Sequence, residues 1–324
     1  MFESRLLLAL IVVVGVPLAT IAYVWLVERL VGLLPDRTRD GIRPWLWVAP
    51  GILLLTGYLV YPTLNTLYLS FLDANSTEFV GLANYRHIFT DDSFITSLRN
   101  NALWLVFLTA FTVGFGLLFA ILFDKVPYEA AAKALIFLPM AISFVAAGVI
   151  WKLMYDFQPP GRPQTGTLNA ITTSLGGDPV AWLLNQPWNN FFLIIVGVWV
   201  WTGFALVILS AGLKGIPAEI IEAARVDGAT EWQTLTRVTI PMMGSTIAVV
   251  ATTMIIFALK AFDIVYVMTS GNFGTDVIAN RMYEEMFNIN HFGRAGAIAV
   301  ILLLAIVPIM FFNIRRFREQ EAMR

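Results

Sequence analysis

Lys260 and Asp263 stand in a run that is otherwise apolar as far as Met268. A charge at the centre of a membrane helix costs on the order of 2.5–3.5 kcal/mol, and such residues mark function by default. Three positions apart, the two share one helical face and can pair. They either pair structurally near a helix end or line a passage. Upstream, Trp199, Trp201 and Phe204 supply aromatic surface, and Asn189 and Asn190 supply polar edges where that stretch begins.

Other chemistry is excluded by what the chain lacks. It has no Cys, so it has no disulfide, thiolate nucleophile or Cys-ligated metal. Its two His, His87 and His291, are far apart in sequence, and no cluster has metal spacing. None of its five Lys follows a Gly, so no Gly-x-x-x-x-Gly-Lys-Ser/Thr phosphate loop exists and any ATP chemistry belongs to another chain. A membrane-embedded enzyme is therefore disfavoured. An ion-coupled secondary transporter of a small polar solute is the alternative reading. It would call for intramembrane acids, of which only Asp263 qualifies, and for an inverted repeat, which is not evident.

The elements that must position these residues are membrane helices. Of the 324 residues 58% are hydrophobic and 13% charged, against about 25% charged in an average soluble domain. Mean hydropathy is +0.74. The net charge of −1 offers no basic field for nucleic acid. Seven charge-free stretches are long enough to span a bilayer: 6–27, 44–72, 100–123, 134–151, 179–213, 238–259 and 295–314. The fifth opens with a loop, and its helix is expected from about Trp188. The sixth is expected to continue past Lys260 and Asp263. The first is longer than a leader's apolar core and lacks a basic start, so it reads as a retained helix.

Basic residues set the orientation. Counting loops alternately, one set holds Arg37, Arg39, Arg43, Lys125, Lys133, Lys214, Arg225, Arg237, Arg315, Arg316, Arg318 and Arg324, and the other Arg5, Arg86, Arg99, Arg162, Arg281 and Arg294. Twelve against six places the first set in the cytoplasm, the N-terminus outside and the C-terminus inside. The outer loop 73–99 carries apolar residues at spacings of three to four, which predicts a short helix on the outer surface. The loop 269–275 sets two glycines around Phe273, a tight turn that serves as a connector or a contact.

The inner segment 214–241 has the most internal pattern. Pro217 suits a helix start, Glu219 and Glu222 follow in the first turns, and Ile220, Ile221 and Ala224 form an apolar side. Gly228 breaks the run. Thr230 then resembles an N-cap with Gln233 closing a capping box, and Trp232, Leu235 and Val238 make a second stripe. Two short helices at an angle are expected. Their stripes must be buried against the protein's own inner loops or against a partner, and the pattern alone leaves both open.

Glu222-Ala223-Ala224, Asp227-Gly228-Ala229, Val238 and Ile240-Pro241 resemble the EAA signature of binding-protein-dependent ABC importer permeases: Glu-Ala-Ala, a Gly four residues on, and an Ile-x-Leu-Pro ending. Val238 stands for the Ile and Ile240 for the Leu. Gly81-Leu82-Ala83-Asn84-Tyr85, Leu138-Pro139, Ile150-Trp151-Lys152, Gly166-Thr167-Leu168-Asn169 and Phe262-Asp263-Ile264-Val265-Tyr266 with Thr269 are similar to patterns of the carbohydrate branch, the maltose and glycerol-phosphate permease type. The family's Gly-Gly-Pro turn is replaced by 271–275. That turn, the run 277–287 and the extra first helix look most like alpha-glucoside permeases.

The resemblance implies an all-α polytopic membrane bundle: an extra N-terminal helix (1–34), a six-helix permease domain (45–316) and a tail (317–324). Its setting would be a bacterial or archaeal cytoplasmic membrane. It implies a second homologous permease, two ATPase subunits carrying ATP and Mg, and an extracytoplasmic sugar-binding protein, with no cofactor on this chain. It assigns ATPase coupling to Glu222, Ala223, Ala224, Asp227, Gly228, Ala229, Trp232 and Leu235. A sugar pathway would use Asn190, Trp199, Trp201, Phe204, Lys260, Asp263 and Tyr266, because aromatic faces and planar polar groups bind sugars. Asn272 and Phe273 would meet the binding protein.

Overall fold

The computed structural model describes residues 2–124, 126–159 and 161–321. Lys125 and Arg324 lie outside the described residues, as do the side chains of Arg5, Arg316 and Arg318 and the chain's last three positions. The described residues fold as helices joined by turns. The chain divides into two units, Met1–Thr66 and Leu67–Arg324.

The first unit is a helical hairpin of α1 (Phe2–Gly32) and most of α2 (36–69). Glu28 on α1 takes a two-pronged bond from Arg43 (3.0 and 2.9 Å) and a third from Trp47 Nε1 (3.0 Å). Val27 and Val31 are buried, but most apolar side chains of the hairpin are exposed, as expected of helices solvated by lipid. The arginine-rich segment 37–43, expected as a loop, forms the first turns of α2, with Pro35 at its N-cap. Further along, Pro62 cannot donate a backbone bond, and the helix widens into a π turn at Thr56–Val60 just before it.

The second unit holds the remaining elements. They are α3 (Ala83–Ile88), α4 (Asp92–Phe123), α5 (Glu129–Ala141), α6 (Phe144–Met154), α7 (Thr167–Ser174), α8 (Trp188–Lys214), α9 (Ala218–Val226), α10 (Glu231–Met242), α11 (Gly244–Leu259), α12 (Asp263–Met268), α13 (278–288) and α14 (Phe292–Glu321). Among the described residues five helices are long and apolar enough to cross a membrane, and seven spans result if the bent pairs α5–α6 (98°) and α10–α11 (66°) each count as one. Those seven coincide with the seven apolar stretches.

The core forms around α8, whose most apolar window is 67% buried where the other long spans reach at most 33%. Small residues let backbones approach. A Cβ on Gly116 of α4 would sit 2.5 Å from Ala205 Cβ, and one on Gly203 would sit 2.6 Å from the Phe137 backbone of α5. Lipid gives helices no hydrophobic reason to associate, so such contact carries the packing.

The expected short helix of segment 73–99 forms as α3. Asp91 caps α4 by accepting from the N–H groups of Ser93 (2.7 Å) and Phe94 (3.0 Å), so α4 starts well before Asn100. Ile88 and Phe94 are buried with Ile278, Ala297 and Ile298 rather than lying on an outer surface. Asn84 explains its own motif: its amide donates to Ser70 O (2.9 Å) and Leu72 O (2.7 Å), tying α3 to the end of α2.

Candidate functional site: a bent helical segment and a cavity at a broken helix

The segment 214–241 folds as two short helices, α9 and α10, joined at Gly228. The Ala229 N–H bonds to Ala224 O (3.0 Å) and the Gly228 N–H to Arg225 O (3.0 Å), the paired closure of a helix ending on a left-handed residue. Gly228 supplies that residue, with φ +83°, and a Cβ there would meet no atom within 4 Å. Conformation, not space, requires the glycine. Thr230 and Gln233 form the reciprocal capping box (3.3 and 2.8 Å), and Arg225 bridges the bend to Glu231 at 2.9 Å. Lys214, at the end of α8, anchors the base to Glu129 of α5 at 2.6 Å.

The two expected stripes do not stay on one side. Ile221, Ala224 and Leu235 are half-buried, and a 350 Å³ cavity separates Ile221 and Leu235 from Ile121, Asp124 and Leu213. Trp232 is 72% exposed and Val226 87%. Glu222, Ala223 and Asp227 are exposed, Ala229 is half-buried, and Glu222 has no side-chain partner among the described residues. The segment thus packs on its own bundle with one edge and presents Glu222, Val226 and Trp232 outward.

The sixth apolar stretch does not run on as one helix. It stops at Leu259, Phe262 adopts φ −146° and ψ −63°, and α12 starts at Asp263. A break at membrane depth leaves carbonyls without partners. Asn101 of α4 meets them, donating to Ala258 O (3.2 Å) and Leu259 O (3.3 Å) while accepting from the Ile278 N–H (2.7 Å). Lys152 donates to Val267 O at the far end of α12 (3.1 Å). The break opens a 190 Å³ cavity lined by Trp104, Phe144, Trp201, Phe257, Lys260 and Asp263, among others. Lys260 and Asp263 do not share a helical face, and they form no ion pair among the described residues. Both line the cavity, Lys260 exposed and Asp263 half-buried. Trp201 packs its ring 3.8 Å from that of Phe257 and 5.5 Å from that of Phe144, with Phe204 at 5.9 Å behind it.

Phe204 is not among the cavity-lining residues, and three more expected pathway residues lie elsewhere. Trp199 points to another side of α8, against Trp151 (5.7 Å) in a large apolar groove. Asn190 is 2% exposed and donates to Asn100 Oδ1 (3.3 Å) and Gly274 O (3.2 Å), so its amide serves a buried network and not an open mouth. Tyr266 stacks on Phe262 and meets Tyr283 edge-on, with its hydroxyl 3.3 Å from that of Tyr283. Sequence reasoning missed Trp104, Phe144 and Phe257, which stand on separate stretches with no shared spacing, and Asn101, whose role exists only because the helix breaks.

The turn 269–276, expected on the outer side, is held by a dense set of hydrogen bonds. Ser270, Gly271, Phe273 and Gly274 all have positive φ. Asn189 and Asn100 clamp it, donating to Phe273 O (2.8 Å) and Gly274 O (2.8 Å), and Thr269 and Thr275 bond at 2.7 Å. Asn272 and Phe273 are thereby held exposed at its tip. Asp276 closes the turn. Burial pushes its carboxyl up to about 6, against bonds from Asn280 (2.7 Å) and the Val277 N–H (2.9 Å) that favour the anion. An acid raised in the folded state loses stability as pH rises from its unfolded value, near 4, through 6. The Asp276→Asn variant is expected to remove that slope and gain on the order of 2–3 kcal/mol at pH 8. Thermal unfolding of the purified protein at pH 5 and pH 8 measures it.

Helices long and apolar enough to cross a membrane, an aromatic cavity at a break in one of them, and a bent segment with an exposed edge together are the features of a membrane transport component. The chain belongs to the family of binding-protein-dependent transport system inner membrane components, whose model matches residues 112–319. It is 58% identical over 279 residues to the osmoprotective compounds uptake permease protein GgtC of Synechocystis sp., covering 86% of this chain and all of that one. It is 49% identical to the alpha-glucoside transport system permease protein AglF of Rhizobium meliloti, covering 88% and 85%. Among solved structures, a chain of a bacterial ABC transporter involved in import of the acidic polysaccharide alginate superposes with a TM-score of 0.75 at 25% identity, covering 87% of this chain and 99% of that one.

Proposed function

We propose that this permease forms half of the pathway of an ATP-driven importer for a neutral sugar, an alpha-glucoside or similar oligosaccharide. The observation that carries the reading is the cavity at the broken helix. Aromatic rings from Trp201, Phe257 and Phe144 line it beside the Lys260 ammonium and the Asp263 carboxylate, which form no ion pair among the described residues. Carboxylate and ammonium hydrogen-bond hydroxyls, the rings take the apolar faces of a sugar, and the opposite charges cancel. The name of one relative, an alpha-glucoside permease, agrees with a hydroxyl-rich solute. At 190 Å³ the cavity is smaller than a usual ligand site of about 300–1,000 Å³, which suits a half-site completed by a second, homologous permease.

Coupling runs through the bent segment. Its exposed edge of Glu222, Val226 and Trp232 would dock into an ATPase subunit, one under each permease, where ATP and Mg bind. The basic residues put this edge in the cytoplasm, the C-terminus with it, and the Asn272–Phe273 tip outside, where an extracytoplasmic sugar-binding protein would deliver substrate. The test is isolation from the native membrane followed by uptake of radiolabelled maltose, sucrose and trehalose. Co-isolation of an ATPase and a second permease, with ATP-dependent uptake of at least one of these sugars, is expected. Uptake that persists without ATP and collapses with the ion gradient would overturn the reading in favour of ion coupling.

A further inference from the structure

The motif Gly166-Thr167-Leu168-Asn169 builds a second cavity. Asn169 of α7 is fully buried and makes every bond its amide can make. Its Nδ2 donates to Asp156 O (2.9 Å) and Val180 O (3.0 Å), and its Oδ1 accepts from the Val180 N–H (2.8 Å) and the Trp182 Nε1–H (3.1 Å). Gly166 lets the chain pass close, since a Cβ there would collide with Asp156 O. One side chain thus fixes both Asp156 and Trp182. Between them and the clamped turn 269–276 lies a cavity of 400 Å³, lined by Lys152, Asp156, Trp182, Leu184, Asn272 and Phe273 among others. That volume falls within the range of small-ligand sites, about 300–1,000 Å³.

The lining is accessible. Lys152, Leu184, Asn272 and Phe273 are exposed, and Asp156 and Trp182 are half-buried. The Thr165 hydroxyl and the Gln158 amide both bond Oδ2 of Asp156, which leaves Oδ1 to accept. Lys152 gives one of its three protons to Val267 O (3.1 Å) and keeps two. A sugar ring has apolar C–H faces and a rim of hydroxyls that both donate and accept. It calls for aromatic surface with an acceptor and a donor beside it, and Trp182, Asp156 and Lys152 supply the three. The cavity also stands on the route. The six-residue helix α12, about 9 Å long, opens with Asp263 in the cavity at the broken helix and closes with Met268 in this one.

We propose that this second cavity is an outer sugar subsite, which takes one ring of the solute before it enters the cavity at the broken helix. The Trp182 ring meets a C–H face, and Asp156 Oδ1 and the Lys152 ammonium bond hydroxyls. The assignment rests on reading the protein as a sugar permease. The basic residues put the subsite outside, on the side from which a binding protein would deliver.

The chain has no Cys, so Leu184→Cys introduces its single thiol, at a cavity position that is 45% exposed. The experiment uses the assembled complex with its ATPases in lipid nanodiscs, without binding protein. Alkylation of position 184 by N-ethylmaleimide is followed by mass spectrometry as maltose, sucrose or trehalose is titrated, with acyclic sorbitol as the osmotic control. A sugar at about ten times its dissociation constant is expected to slow alkylation about tenfold, and sorbitol to leave it unchanged. Asp156→Asn keeps the shape and an acceptor for Thr165. It is expected to raise the sugar concentration needed about tenfold, with alkylation in the absence of sugar unchanged. Protection that does not saturate, that sorbitol matches or that Asp156→Asn leaves unaltered overturns the proposal. Protection by sugar-free binding protein with none by sugar overturns it in favour of a protein-docking surface. If Leu184→Cys lowers the complex yield, Phe273→Cys, at a position 49% exposed, carries the same measurement. Wild-type uptake separates the premises: ATP-dependent uptake of one of these sugars with no protection removes the subsite alone, and uptake of none removes the sugar reading with it.

Discussion

Valine at position 228 is expected to reduce uptake more than tenfold and to lower the amount of ATPase that co-purifies, while asparagine there keeps most of both. The order follows from the backbone. Gly228 holds φ +83°, a conformation that L residues adopt at a cost of about 1–2 kcal/mol. Asn visits it most readily, Ala less so, and a β-branched residue least. Open space around the position removes the steric explanation, since a Cβ there touches nothing within 4 Å. With Val the closure of α9 on Ala224 and Arg225 would be lost, and the angle between α9 and α10 with it. Only an element of fixed shape can transmit a displacement between an ATPase and the helices. The discriminating measurement is binding-protein-stimulated ATP hydrolysis together with uptake for Asn, Ala and Val. A graded series supports the bend. Equal loss in all three would mean instead that the glycine surface itself is covered by a partner. The nearby Arg225–Glu231 pair makes a useful contrast, because its side chains are 44% and 78% exposed and such pairs contribute little. Glu231→Gln is expected to be mild.

Much of the fold was legible because lipid demands long apolar runs, and seven of them can be counted in the chain. Pro217, Gly228, Thr230 and Gln233 are local signals, and the bent segment they spell out is the one that forms. The helix break at Lys260–Phe262 was not legible. Nothing in Leu259-Lys260-Ala261-Phe262 forbids a helix, and the break is stabilised from a distance by Asn101 and by the contacts that α12 makes with α6. Interface residues misled for a related reason. Trp199 and Trp201 look equivalent in sequence, but two residues on a helix point roughly 200° apart, so one meets the cavity and the other a different groove. Asn190 looked like an open polar edge because its partners, Asn100 and the turn at Gly274, lie about ninety and eighty positions away.

Asp263→Asn and Lys260→Met are each expected to lower maximal uptake of a neutral sugar at least tenfold with complex yield unchanged. The double variant is expected to be no better than the worse single. Among the described residues they form no ion pair, and they line the cavity on either side of the unwound turn at Phe262. Were they a structural pair, removing one would strand the other in a poorly solvated place, and removing both would relieve it. A double-variant cycle therefore distinguishes the two roles, with rescue in the double variant sinking the cavity assignment. The charges also predict a change in selectivity. Asp263→Asn leaves Lys260 as net positive charge in the cavity, which favours an acidic sugar such as a glucuronide over its neutral parent. Lys260→Met leaves Asp263 and does the reverse. Opposite shifts from neighbouring positions are what a solute in contact with both would produce. A purely packing role, which acts on the fold and not on the cargo, would lower uptake of both sugars in equal proportion.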